Sequence, residues 1–186
     1  YIQETPVSFA RLLAEHLPES LNTTYLVNSG TEAIEGSLKL ARRATGRTEL
    51  LYAHHAYHGN TMGSMSVMGF EERKNAFKPL VPDTRPIRFN NEEDLNKITT
   101  STAGVLLETI QGGAGFIQPE NDYLKKVKKR CEEVGALLIL DEIQPGFGRT
   151  GKLFGFEHYD MVPDILVMGK GMASGMPVGA FTASHE

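Results

Sequence analysis

The chain has 186 residues, of which 40% are apolar and 23% charged, with a formal net charge of −4. That is enough for one domain with its own core, and the composition excludes a disordered or low-complexity chain. The acidic balance leaves no electrostatic footprint for nucleic acid, no apolar run is long enough to span a bilayer, and the start, YIQETPVSFA, has no secretory-leader pattern.

Short β-rich apolar runs recur at 23–29, 49–54, 86–89, 104–109, 136–142, 164–169 and 179–184. After the first, Ile34, Leu38 and Ala41 recur at helical spacing. A helix over 122–134 precedes the fifth run, with Asn121 or Asp122 as N-cap and Gly135 as terminator. Its basic stretch, Lys125 to Arg130, reads as a solvated helix face rather than a nucleic-acid patch. Cys131 shares the spacing of Leu124, Val127 and Val134, so it is expected to be a packed thiol. As the single cysteine it excludes an internal disulfide and suits a reducing compartment, hence a cytoplasmic protein. Near-continuous apolar strands alternating with helices predict an α/β fold, a parallel sheet covered on both faces.

In such sheets ligands gather beyond the carboxyl ends of the strands. There the sequence places Ser29-Gly30-Thr31, then HHAYHGN after the second run, Glu108 and the following TIQGG, then Asp141, Glu142 and Gln144, and finally Lys170 between Gly169 and Gly171. Ser-Gly-Thr ahead of a helix is either a phosphate cradle or only an N-cap with a turn. The letters GFGRTGK at 146–152 match a nucleotide P-loop, but Leu153 stands where a magnesium-binding Ser/Thr is needed and no helix follows. His54, His55 and His58 suggest a metal only weakly, since adjacent histidines on a strand point to opposite faces. Lys170 is the notable cation: flanking glycines permit unusual backbone angles and close ligand approach, and a lysine amine in a partly apolar pocket becomes a nucleophile toward carbonyls. An anion cradle, the aromatic Tyr57, an acid after a buried strand and such a lysine are the parts that hold pyridoxal phosphate.

The blocks NSGTEAIEGSLKLAR, YHGNTMGSMSVMG, LILDEIQPGFGRTGKLFGFEH and PDILVMGKGMASGMPVGA, in that order, resemble the class III pyridoxal-phosphate-dependent aminotransferases, the acetylornithine, ornithine and 4-aminobutyrate group. The resemblance implies the type I aminotransferase fold: a large domain spanning 1–186 with a seven-stranded, mostly parallel sheet, 179–184 as its one antiparallel strand, and helices on both faces. It implies that Lys170 forms the internal aldimine and moves the proton, and that Asp141 pairs with the pyridine nitrogen. Gly30 and Thr31, with Ser29 nearby, would bind the phosphate. Tyr57 would stack on one ring face and Ile143 on the other. Gln144 would reach the 3′ oxygen and Glu108 would lie behind it. His58 would support the site, and Glu142 would sit beside it without chemistry of its own.

The resemblance further implies a homodimer, an amino donor and a 2-oxo acid acceptor. It implies too that an N-terminal segment, a C-terminal small domain and a substrate-carboxylate arginine lie outside these residues, so this stretch alone is expected to be weakly active or inactive. Two positions depart from the group's pattern. Asn60 stands where an arginine usually contacts a substrate carboxylate, and Gly113 where a gating glutamate usually follows Gln-Gly. Transamination of a terminal amino group is therefore expected, with other ω-amino acids, diamines or amines as donors. The alternatives are a glutamate-1-semialdehyde-type aminomutase and a non-catalytic cofactor-binding fragment.

Overall fold

Along each central strand, successive side chains feed two different cores. In the computed structural model, which describes residues 2–185, the strands are β1 (Thr23–Val27), β2 (Glu49–Ala53), β3 (Thr84–Ile87), β4 (Thr102–Glu108), β5 (Leu137–Asp141), β6 (Ile165–Met168) and β7 (Gly179–Ala183). The helices are α1 (Glu4–His16), α2 (Gly30–Thr45), the short α3 (Met62–Ser66) and α4 (Glu71–Lys74), and α5 (Tyr123–Val134). Leu50, Tyr52, Leu106, Ile139, Ile165 and Val167 pack with Ile34, Leu38 and Ala41 of α2. Their sequence neighbours Leu51, Ala53, Val105, Leu107, Leu138, Leu140, Leu166 and Met168 pack on the other face with Leu13 of α1 and Leu124, Val127 and Cys131 of α5. The period of two splits each run between the faces, and since both faces are covered the runs read as continuously apolar.

The strand order is β1-β7-β6-β5-β4-β2-β3. Strand β7 runs antiparallel to both its neighbours, and the remaining pairs are parallel. This is the α/β architecture expected, with the reversed strand where it was expected. Only the 86–89 run shifts, forming at Thr84–Ile87 instead. Asp94 Oδ2 accepts the N–H of Arg88 at 2.7 Å and ends the strand there, and Pro86 is tolerated because β3 is an edge.

Helix α2 starts at Ser29, whose Oγ accepts the Glu32 N–H at 3.3 Å, and stops at Gly46 in the left-handed region (φ 68°). Gly135 (φ 70°) ends α5 as expected, whereas Asp122 occupies the N-cap position without a side-chain capping bond. Helix α1 lies outside the expected elements, because Leu13 is its single buried residue and leaves no periodic stripe to read. The basic run on α5 is ion-paired, Lys126 with Glu92 at 2.6 Å, Lys128 with Asp164 at 2.6 Å and Arg130 with Glu133 at 3.2 Å. Cys131 is fully buried, and burial pushes its thiol up to about 12. Among the described residues no helix is long and apolar enough to cross a membrane.

Candidate active site

Strands β4 and β5 pair with Glu108 opposite Asp141. Two residues earlier, Leu106 and Ile139 belong to the α2 core, so by the strand period both carboxylates face that side. Asp141 is 3% exposed. Its Oδ1 accepts the Ile143 N–H at 2.9 Å, and its Oδ2 lies 2.8 Å from Nδ1 of the buried His58. Nε2 of His58 is buried with no hydrogen-bond partner among the described residues. Glu108 accepts the Tyr57 N–H at Oε1 (3.0 Å) and the Gly112 N–H at Oε2 (2.9 Å), clamping two loops together. Burial raises its carboxyl above the ordinary range, with the two N–H donors opposing the shift.

Gly30 opens α2 directly beneath Ile143. A Cβ there would come within 2.8 Å of Ile143 Cδ1, so a side chain at this position would displace Ile143. Thr31 Oγ1 joins a hydroxyl cluster with Ser64 Oγ at 2.8 Å and Thr61 Oγ1 at 2.9 Å. Gln144 packs on Gly112, where a Cβ would lie 2.7 Å from its Nε2. Lys170 follows β6 and is exposed. Its flanking glycines were expected to take the unusual angles, but Gly169 is extended (φ −179°) and Lys170 itself is left-handed (φ 42°). That conformation is uncommon for a lysine and is held by its surroundings.

Gly30, Thr31, Tyr57, His58, Glu108, Asp141, Ile143, Gln144 and Lys170 all line one cavity of about 630 Å³. All of residues 1–186 match the family model Aminotransferase class-III.

The chain belongs to the class-III aminotransferases.

It is 47% identical over 169 residues to a LysW-aminoadipate semialdehyde/glutamate semialdehyde transaminase of Sulfolobus acidocaldarius, covering 90% of this chain and 44% of that protein. It is 42% identical to an acetylornithine aminotransferase of Methanopyrus kandleri, covering 100% and 48%. A solved taurine:2-oxoglutarate aminotransferase of Bifidobacterium kashiwanohense, in complex with PLP and glutamate, superposes with a TM-score of 0.92 at 26% identity over 100% of this chain and 48% of that one. The chain spans about half the length of the relatives it matches.

Two expected site residues of this class-III aminotransferase chain stand apart from the cavity lining. Ser29 is occupied as the cap of α2. Glu142, one position past Asp141, falls on the opposite face, where its carboxylate accepts Thr109 Oγ1–H at 2.6 Å and the N–H groups of Gly155 (2.9 Å) and Phe156 (2.8 Å). Burial raises it to about 7. Asn60 and Gly113 do line the cavity. So does Arg73, which sequence reasoning passed over because α4 is too short to show a pattern.

The nucleotide-loop lookalike at 146–152 ends with Lys152 donating to the Glu157 carbonyl at 2.8 Å, and a 3-10 turn, Gly155–Tyr159, follows it. Among the described residues no cluster of His, Cys, Asp or Glu is arranged to hold a metal.

Proposed function

We propose that the full-length protein is a pyridoxal-phosphate-dependent aminotransferase that moves an amino group, a terminal one, from an amino acid or amine to a 2-oxo acid. The observation that carries this reading is the convergence of Lys170, Asp141 and the Gly30-Thr31 helix start on one cavity. The residues fit the cofactor. Gly30 and Thr31 place their backbone N–H groups in the first turn, at the positive end, of a 16-residue helix, a natural seat for a phosphate. Asp141 offers a buried carboxylate, fixed on one side by His58 and on the other by the Ile143 N–H, to a protonated ring nitrogen. Tyr57 and Ile143 would hold the ring between them and Gln144 would offer it a polar group, while Glu108 is the clamp that holds the Tyr57 loop.

When bound, pyridoxal phosphate supplies an electron sink for the carbanion formed at the amine-bearing carbon. The protein's own groups do the rest. Lys170 Nζ takes the proton from that carbon, reaching it from a backbone turn that projects the side chain into the cavity mouth. Asp141 would hold the proton on the ring nitrogen by presenting its carboxyl oxygens to it, and His58 prevents that group from rotating away. Donor and acceptor use the same cavity in turn, in two half-reactions. A homodimer and a cytoplasmic location complete the proposal, the latter supported by the buried free thiol of Cys131. The relatives named above are transaminases, which favours group transfer over the aminomutase alternative.

In the full-length protein, Lys170→Ala is expected to lower transamination by about 10³-fold or more and to abolish borohydride-fixable cofactor at residue 170. Retained transamination sinks the assignment. Turnover without any added 2-oxo acid points to an isomerase instead.

A further inference from the structure

The cavity holds one cation that the chemistry above does not use. Arg73 of α4 lines it, and its guanidinium carbon stands 4.5 Å from the centroid of the Phe70 ring. Phe70 in turn lies against Gly113, where a Cβ would be 3.4 Å from Phe70 Cε2 and 3.7 Å from Tyr57 Cβ. Arg73 is exposed, and the Phe70 ring carries its guanidinium at the solvent-open rim of the cavity, on the Gly113 side.

The other charged groups of the lining are committed. Glu108 accepts two backbone N–H groups, Asp141 bonds His58 and the Ile143 N–H, and Lys170 is the reacting amine. Glu71, two residues before Arg73, pairs instead with Lys74 at 2.6 Å. Among the described residues no ion pair engages Arg73. Asn60 adds no charge to the cavity, and Gly113 leaves empty the place beside Phe70 where an acidic side chain could neutralise the guanidinium.

A guanidinium stacked on an aromatic ring is pre-organised and keeps its N–H fork open at the edge. That fork matches a carboxylate, which it binds through two parallel charge-assisted hydrogen bonds. We propose that Arg73 binds a carboxylate of the substrate, so that the site selects carboxylate-bearing amino donors over simple amines. This rests on the aminotransferase reading. Because both half-reactions use the cavity, the same arginine serves the donor and the 2-oxo acid.

The test uses cofactor-loaded full-length protein and its Arg73→Gln and Arg73→Lys variants. Each is assayed with an ω-amino acid and with the unbranched alkyl amine of equal chain length, and calorimetry follows binding of glutarate as an unreactive dicarboxylate. Arg73→Gln is expected to raise KM for the amino acid about 10- to 100-fold, the loss falling on KM rather than kcat. KM for the amine does not follow, glutarate binding weakens in parallel, and Arg73→Lys is intermediate. An unmoved KM for the amino acid in an active enzyme, or an equal rise for the amine, overturns the role of Arg73 alone. A wild type that cannot transaminate at all overturns the aminotransferase reading and this role with it.

Discussion

At the amino-terminal ends of the parallel strands, Arg47 Nη1 reaches the carbonyls of Thr102 (3.0 Å), Val134 (2.9 Å) and Gly135 (2.9 Å). Asp164 there accepts from the Leu138 N–H at 2.8 Å and Lys128 Nζ at 2.6 Å, and Thr102 Oγ1 donates to Glu49 at 2.7 Å. At the carboxyl-terminal ends, Lys170 stands exposed on left-handed backbone, Arg73 faces the cavity without an ion pair among the described residues, and one nitrogen of buried His58 has no partner. One edge saturates its polar groups with one another and so ties the strands together. The other leaves capacity open at a cost in stability, which is how binding sites differ from scaffolds. The carboxyl edge is itself divided by face: Asp141 looks into the cavity, whereas Glu142 is satisfied by three donors and behaves like the scaffold edge.

Three substitutions in cofactor-free full-length protein would break or sharpen this division. Glu142 has the largest expected effect. Its carboxyl is raised from 4.5 to about 7 by burial, so between those values the folded protein holds a proton that the unfolded chain has lost. Stability therefore declines as pH rises through that window, by roughly 3 kcal/mol from this group, and stays lowered above it. Glu108, raised for the same reason, contributes in the same sense. Urea unfolding across this range should show a shallower pH dependence for Glu142→Gln than for wild type; identical slopes would contradict the assignment.

Arg47→Ala comes next, expected to cost about 2 kcal/mol of unfolding free energy while the reloaded enzyme keeps its transamination. Lost activity without lost stability would erase the distinction between the edges. Smallest is Lys170→Gly, which relieves the left-handed backbone and should raise the unfolding free energy by about 1 kcal/mol as catalysis disappears. A fall in melting temperature would show that the lysine's conformation is not strained.

Much of this was readable from residue order. The seven apolar runs mark the seven strands, and the period of two, carried one step past β5, already sends Asp141 and Glu142 to opposite faces. The helix start at Gly30 and the lysine after β6 are likewise local signals. What was not readable depends on long-range approach. His58 meets Asp141 across 83 positions. Arg73 lines the cavity with Phe70 against its guanidinium, a pairing with Tyr57 to Thr61 that no local pattern encodes. The backbone strain at Lys170 was placed on the wrong residues, since glycine's freedom shows in a sequence and a neighbour's constraint does not.

The pairing of β1 with β7 has a consequence for biosynthesis. Among the described strands Thr23–Val27 is made first, yet its hydrogen-bonding partner in the sheet, Gly179–Ala183, is made last. At about 5–20 residues per second of chain elongation, the first strand waits on the order of ten seconds for its partner. During that interval its open edge and the ring of Tyr25, which later stacks with Phe181 at 5.3 Å, are free to meet other nascent chains. Holding β1, rather than the β4–β5 centre, is therefore what would protect this sheet while it waits for β7.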